Sequence, residues 1–249
     1  MTIGYESLYI GGDWRRPIDP QQIVVRSAST RELVGAFLAG GRPDIDAAAK
    51  AARDAFDAPA GWSTWDPAAR AAVLERFADE LKQRSGDIAT RVSLQNGMPI
   101  SIARATEAKV PAKLLRYYGE LVAKSDTEEL RPSLVAGTTA VRRAPIGVVA
   151  AIVPWNFPQT LTFFKIAPAL AAGCTVVLKP ALEAALDALL IGEAAEAAGL
   201  PPGVLNIVPG DGPTVGMHLV THPLVDKVAF TGSTAAGRSI GEACGRLLR

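Results

Sequence analysis

From Gly147 to the last residue, short apolar runs alternate with helix-patterned stretches, and that alternation leaves few folds open. The β-type runs are Gly147–Val153, Cys174–Leu178, Val204–Val208 and Lys227–Phe230; helical patterns lie between and after them, at about 159–172, 184–198, 212–220 and 235–248. Strands this short, joined by helices of roughly 10–15 residues, predict right-handed βαβ units and a parallel sheet. The expected fold class is therefore α/β, a parallel sheet with flanking helices. Ligands of such sheets bind beyond the carboxyl ends of the strands. That rule singles out Pro154–Pro158, Lys179–Glu183, Pro209–Gly212 and Thr231–Gly237, all Gly/Pro-rich or polar.

The preceding residues divide differently. Residues 1–40 mix the runs Leu8–Ile10, Ile23–Val25 and Leu33–Leu38 with Gly-Gly and Pro punctuation, which predicts short strands and turns. From Asp44 the period becomes helical, with Ile45, Ala48, Ala49, Ala52 and Phe56 on one face and Asp44 as the expected N-cap. A second helix follows Pro67, where Val73, Leu74, Phe77 and Leu81 oppose Arg70, Glu75 and Lys82. Asn96-Gly97 and Pro99 mark a break, and a third helical segment is expected from about Ile102 to Val122, bent near Pro111. Residues 125–145 have no helical period and carry β-branched residues on both sides of Gly137, as an extended hairpin does. Residues 1–124, 125–146 and 147–249 are thus read as three regions.

Charge excludes some partners. With 26 basic and 25 acidic residues the formal net charge is +1, which gives no electrostatic case for nucleic acid or an anionic membrane. No apolar run reaches the roughly 18–20 residues that a membrane span needs. The N-terminus, MTIGYESLYIGGDW, lacks the pattern of a signal peptide. Cys174 and Cys244 stand far apart without a CxxC, a usage that fits a reducing compartment and no disulfide. A cytoplasmic protein with a small-molecule or protein partner is the expectation.

Several strand ends carry side chains suited to chemistry. In Pro154-Trp155-Asn156-Phe157-Pro158 the Asn156 amide can donate to a developing oxyanion; the alternative is a Pro-rich turn with Trp155 and Phe157 packed as core. Lys179 can reach a ribose hydroxyl or phosphate, or be a solvated strand-end lysine. Glu183 can accept from ribose hydroxyls, or simply favour a helix start. Phe230-Thr231-Gly232-Ser233-Thr234-Ala235-Ala236-Gly237 offers backbone N–H groups to a pyrophosphate. Its glycines are too far apart for the GxGxxG fingerprint, and a Ser/Thr N-cap with turn glycines is the alternative. Gly210-Asp211-Gly212 bears the same two readings. His218 and His222 share a helical face, but no third ligand is evident, so no metal site is expected. Cys174 is read as a small buried residue without a basic neighbour, and Trp62 and Trp65 as packing anchors.

Taken together and in order, these motifs resemble the aldehyde dehydrogenase superfamily. The resemblance begins with Tyr9-Ile10-Gly11-Gly12-Asp13-Trp14 and continues through Asn96-Gly97-Met98-Pro99, Ala144-Pro145-Ile146-Gly147-Val148-Val149 and Pro154–Pro158. It runs on through Lys165-Ile166-Ala167-Pro168-Ala169-Leu170-Ala171-Ala172-Gly173, Leu178-Lys179-Pro180, Ala198-Gly199-Leu200-Pro201-Pro202-Gly203 and Phe230–Gly237.

The resemblance implies a Rossmann-like domain holding NAD or NADP across the sheet edge. Lys179 and Glu183 would lie by the adenine ribose. Gly212 and the turn Phe230, Thr231, Gly232, Ser233 and Gly237 would line the adenosine and pyrophosphate side. Val153, Pro154, Trp155 and Asn156 would border the nicotinamide, with Asn156 stabilising the oxyanion. Residues 125–146 would be an oligomerisation hairpin, giving a homo-oligomer, dimer or tetramer. The implied reaction converts an aldehyde to a carboxylate through a cysteine nucleophile and a glutamate-activated water. The segments for that base and cysteine are expected beyond Arg249, and neither Cys174 nor Cys244 matches the nucleophile's motif. Leu182 stands where the resemblance more often has Glu, which leaves NAD against NADP open. Two readings follow: the cofactor-binding half of an aldehyde dehydrogenase, inactive alone, or a catalytically dead nucleotide-binding or oligomerising protein.

Overall fold

Val148–Ile152, Thr175–Lys179, Leu205–Ile207 and Lys227–Phe230 pair in parallel, as their βαβ spacing requires. They belong to a computed structural model that describes residues 3–249. In chain order the strands are β1 (Ile3–Tyr5), β2 (Leu8–Ile10), β3 (Asp13–Arg15), β4 (Gln21–Arg26), β5 (Leu33–Ala39), β6 (Glu128–Pro132), β7 (Thr138–Arg142), β8 (Val148–Ile152), β9 (Thr175–Lys179), β10 (Leu205–Ile207) and β11 (Lys227–Phe230). The helices are α1 (Arg42–Asp57), α2 (Pro67–Gln83), α3 (Ser85–Asn96), α4 (Ile100–Ala105), α5 (Val110–Ala123), α6 (Pro158–Ala171), α7 (Ala185–Ala197), α8 (Met217–Thr221) and α9 (Thr234–Leu247).

The main sheet has the order β11-β8-β9-β10-β2-β3, with β2 antiparallel to β10 and β3 antiparallel to β2. After β10 the chain crosses to the far side of β8, so the strand order reverses there. That is the switch point at which open α/β sheets bind ligands. Alternate residues of β8 serve two cores. Val149 and Ala151 pack on the α2, α5, α6 and α7 side, while Val148, Ala150 and Ile152 pack with α1, α8 and α9. With both faces covered, β8 and β9 are buried at every position, which explains the unbroken apolar run of β8 and the Val176–Leu178 centre of β9. Between α2 and α6, Phe77 meets Phe163 at a centroid distance of 5.8 Å. Each fully buried ring contributes about 1.5–3 kcal/mol.

A small sheet, β1-β5-β4, and the separate β6–β7 hairpin complete the fold. The hairpin pairs from Glu128↔Arg142 to Pro132↔Thr138, and only Val141 of its strands is even partly covered. Its tip presents Leu134 and Val135 to solvent. Trp62 is buried and donates to the Leu170 carbonyl at 3.0 Å, as an anchor should.

The structure corrects four local expectations. Asp44 is not the N-cap of α1 but its third residue, where Oδ2 accepts from the Gly41 N–H at 2.8 Å. The helix starts earlier because Pro43 suits its first turn. The expected single helix from Ile102 to Val122 is two helices, α4 and α5, and Pro111 sits in the first turn of α5 instead of at a bend. Helix α3, between the helix after Pro67 and the break at Asn96-Gly97, adds to the expected elements and buries Ile88, Ala89 and Val92. The stretch 212–220 is a π-helical turn, Gly212–Gly216, followed by the short α8.

Candidate functional site

Strand register brings the expected loops together. Ile152 pairs with Lys179 on one side and with Phe230 on the other, so β8, β9 and β11 end in one row. The segments 153–158, 179–183 and 231–237 therefore leave from the same edge. Gly210 joins them by accepting a hydrogen bond at its carbonyl from the Lys179 ammonium.

The 153–158 turn is exposed at its centre. Val153 is buried and donates to the Lys179 carbonyl at 3.2 Å, whereas Asn156 is exposed and its amide has no partner among the described residues. Trp155 and Phe157 are 52% and 38% exposed, which removes the reading of both as core residues. The turn is held from a distance. Asn96, at the end of α3, donates from Nδ2 to the Trp155 carbonyl at 2.9 Å and the Asn156 carbonyl at 3.2 Å. Gly97 follows with φ +78, the left-handed conformation that ends α3 and turns the chain for this contact. Beyond the turn, Glu107 is fully buried and accepts from the N–H groups of Gln159 (2.9 Å) and Thr160 (3.3 Å) at the start of α6. Sequence reading marked Asn96-Gly97 as a break and overlooked Glu107.

Lys179 is not a solvated strand-end lysine. It is 5% exposed, and its ammonium donates to the Pro180 carbonyl at 3.0 Å and the Gly210 carbonyl at 2.8 Å. Burial pushes its pKa down to about 8, against the opposing pull of nearby Asp211 and Glu183. Two backbone oxygens leave one ammonium proton for a third acceptor. Glu183 is exposed in the 182–184 turn, and Gly212 is exposed behind Asp211, whose carboxylate accepts from the Thr214 N–H at 2.6 Å.

In the last loop Ser233 caps α9, its hydroxyl accepting from the Ala236 N–H at 3.2 Å. The cap reading is thus met. The cap leaves the N–H groups of Thr234 and Ala235 without partners inside the helix, where the dipole favours an anion. A Cβ at Gly232 would come within 2.5 Å of the tip of the Phe230 ring, which would have to move, while one at Gly237 would meet the ring at an ordinary 3.6 Å. Thr231 accepts from Lys165 of α6 at 2.6 Å. Burial pushes the Lys165 pKa down. Sequence reading gave this second cation no role, because its contact with Thr231 spans 66 residues.

Away from this edge, His218 and His222 do find a third group. Asp46 of α1 lies 2.5 Å from His218 Nε2 and 3.3 Å from His222 Nε2, a contact across helices that local spacing cannot show. The His222 Nδ1 accepts from the Leu224 N–H at 3.2 Å, which places the neutral ring's proton on Nε2, facing Asp46. In this arrangement the three side chains act as a clasp between α1 and α8. Cys174 is buried at the start of β9, away from the edge, and Arg70 lies within electrostatic reach of it, contrary to the expectation of no basic neighbour. Cys244 lies late in α9.

Residues 14–249 match the model of the aldehyde dehydrogenase family. The chain is 53% identical over its whole length to geranial dehydrogenase of Castellaniella defragrans, covering 52% of that protein. It is 42% identical to phenylacetaldehyde dehydrogenase of Pseudomonas fluorescens, over 97% of this chain and 49% of the other. The fold is similar to a Mycobacterium tuberculosis aldehyde dehydrogenase complexed with NAD+, with a TM-score of 0.95 and 38% identity over 100% of this chain and 51% of that one. It is also similar to aldehyde dehydrogenase C of Pseudomonas syringae, complexed with NAD+ and octanal, at a TM-score of 0.92 and 40% identity over 98% and 49%. The chain spans about half the length of the curated relatives it matches.

Proposed function

The chain belongs to the aldehyde dehydrogenase family, and on that premise we propose that its exposed sheet edge is the dinucleotide-binding half of an NAD(P)-dependent oxidation of an aldehyde to a carboxylate. The observation that carries this reading is the register row Ile152–Lys179–Phe230, which opens three loops on one side of the switch point. The residues suit the group. Lys179 is held rigidly with one proton to spare, for a ribose hydroxyl, with Glu183 beside it as acceptor. The free N–H groups at the start of α9 and the exposed Gly212 suit the adenosine and pyrophosphate side, and Val153–Asn156 the nicotinamide. When bound, the nicotinamide supplies a hydride acceptor.

The chain's own contribution to the chemistry is positional. Asn156 presents two amide protons to solvent at the strand end, where a substrate oxyanion can accept one of them. Asn96 fixes the backbone that carries it, so the turn need not be ordered on binding. Neither cysteine lies at this edge, so the proposed reaction draws its nucleophile from elsewhere. The β6–β7 hairpin, exposed along its length, serves homo-oligomer formation in this reading.

Calorimetry with NAD+ and NADP+ tests the cofactor site. Lys179→Ala is expected to weaken binding about tenfold, the worth of one hydrogen bond to a charged group. Unchanged affinity for both cofactors removes Lys179 from the site.

A further inference from the structure

A cavity of about 580 Å³ lies between the last turn of α2, the start of α3, α4 and the first half of α5. It shares no residue with the sheet edge described above. Five of its nine lining residues are cationic (Lys82, Arg104, Lys109, Lys113 and Arg116) and none is acidic. We propose that this cleft binds a small organic polyanion, a molecule carrying two or more phosphate or carboxylate groups.

Composition does not account for such a concentration, because the chain as a whole carries 26 basic and 25 acidic residues. Nor does local pairing. Arg116 bonds Glu75 at 2.7 Å and Asp79 at 2.6 Å, but Lys82, Arg104, Lys109 and Lys113 form no ion pair among the described residues. Five cations elsewhere on the helices, Lys50, Arg53, Arg84, Lys124 and Arg246, each face a carboxylate one turn away, while Arg42, Arg76 and Arg238 stand singly without an ion pair among the described residues; only in this cleft do unpaired cations gather. Lys109, Lys113 and Arg116 follow the pitch of α5 and so share a face, where like charges one turn apart disfavour the helix. A ligand of opposite charge reverses the sign of that term.

The shape fits the same occupant. Ala108 and Ala112 are buried and form a short-chained floor, so the long cationic side chains stand at the rim and can fold over a guest. Ser85 and Gly86 add polar groups from the start of α3. The volume lies in the range of small-molecule sites, roughly 300–1,000 Å³. A nucleic acid would need a basic stripe on a basic protein, which a net charge of +1 does not supply.

Calorimetry of the 249-residue chain with pyrophosphate, and separately with citrate, tests the proposal at fixed ionic strength with sulfate as control. Saturable binding of either probe at least tenfold tighter than sulfate is expected, and the tighter probe assigns the phosphate or the carboxylate class. The double variant Lys109→Ala/Lys113→Ala should weaken it tenfold or more, and Arg104→Ala several-fold. Circular dichroism checks that both keep the fold. Lys227→Ala, at an exposed cation outside both sites, should leave it unchanged. Pyrophosphate binding lost in Lys179→Ala but kept in the double variant would place the probe at the sheet edge and overturn the proposal. So would the absence of any preference over sulfate, or tighter binding of duplex DNA than of either probe. Because the NAD+ titration reads a different set of residues, failure here leaves the cofactor reading standing, and the reverse.

Discussion

Asp187, in the first turn of α7, has no access to solvent; Gln95 donates to Oδ1 and Gln159 to Oδ2, each at 2.8 Å. Burial raises its pKa from 3.8 to about 7, opposed by those two amides and assisted by the charge of Glu107. Between those values the folded protein holds a proton that the unfolded chain has released. Stability from this group is thus complete below the unfolded value and lost as pH rises through 7. The Gln159 Oε1 has no partner, and a neutral amide at 187 would offer it a donor. Asp187→Asn is therefore expected to shrink the drop in Tm between pH 5 and pH 8 (about one titration range either side of the shift). An identical drop in the variant would show that Asp187 does not set it. Gly147 is a second single-residue constraint. Its φ is +130, and a Cβ would lie 1.8 Å from Asp226 Oδ2, which accepts from the Val148 N–H at 2.7 Å. Gly147→Ala should cost about 2 kcal/mol in urea unfolding, from strain and overpacking at the start of β8. At this scale the residue types of the site were legible, but not their environments. Lys179 is buried because Gly210, a loop away, folds over it.

Among elements, the turn 154–158 depends on α3. Asn96→Ala removes both bonds to its backbone and leaves the fold of β8 intact, so cofactor affinity should fall several-fold while Tm changes little. A large loss of Tm with unaltered affinity would make Asn96 a structural residue only. The hairpin carries the second element-scale expectation. Leu130 is 65% exposed on β6, a strand with no partner beyond β7. Exposed strand edges pair with other chains. Replacing Leu130 by Lys should shift the chain towards monomer in sedimentation, and an unchanged mass would remove the hairpin from assembly. Periodicity showed α1, α2 and the βαβ helices because each has a long apolar face or short flanking strands. It missed the division between α4 and α5, where only a short turn at 106–109 separates two helices, the first of them six residues long.

For the molecule as a whole, the proposed division of labour has a direct consequence. The 249-residue chain should bind NAD+ yet show no aldehyde-dependent reduction of it in a spectrophotometric assay, because Cys174 is buried at the opposite end of β9 and Cys244 lies late in α9. Turnover that survives Asn156→Ala and disappears with Cys174→Ser or Cys244→Ser would refute the assignment of the edge. Among the described residues no helix is long and apolar enough to cross a membrane. What the sequence by itself determined is the alternation of strand and helix, and with it the parallel sheet and the edge at which loops gather. Those properties follow from periods of two and 3.6 residues and from turn chemistry, all of them local. Tertiary structure alone decided which distant groups meet: Asn96 on the turn 59 residues away, Asp46 on His218 across 172, and the cations of the α2–α5 cleft. Those contacts arise from packing helices on two faces of one sheet, and helix packing depends on shapes that no local pattern encodes.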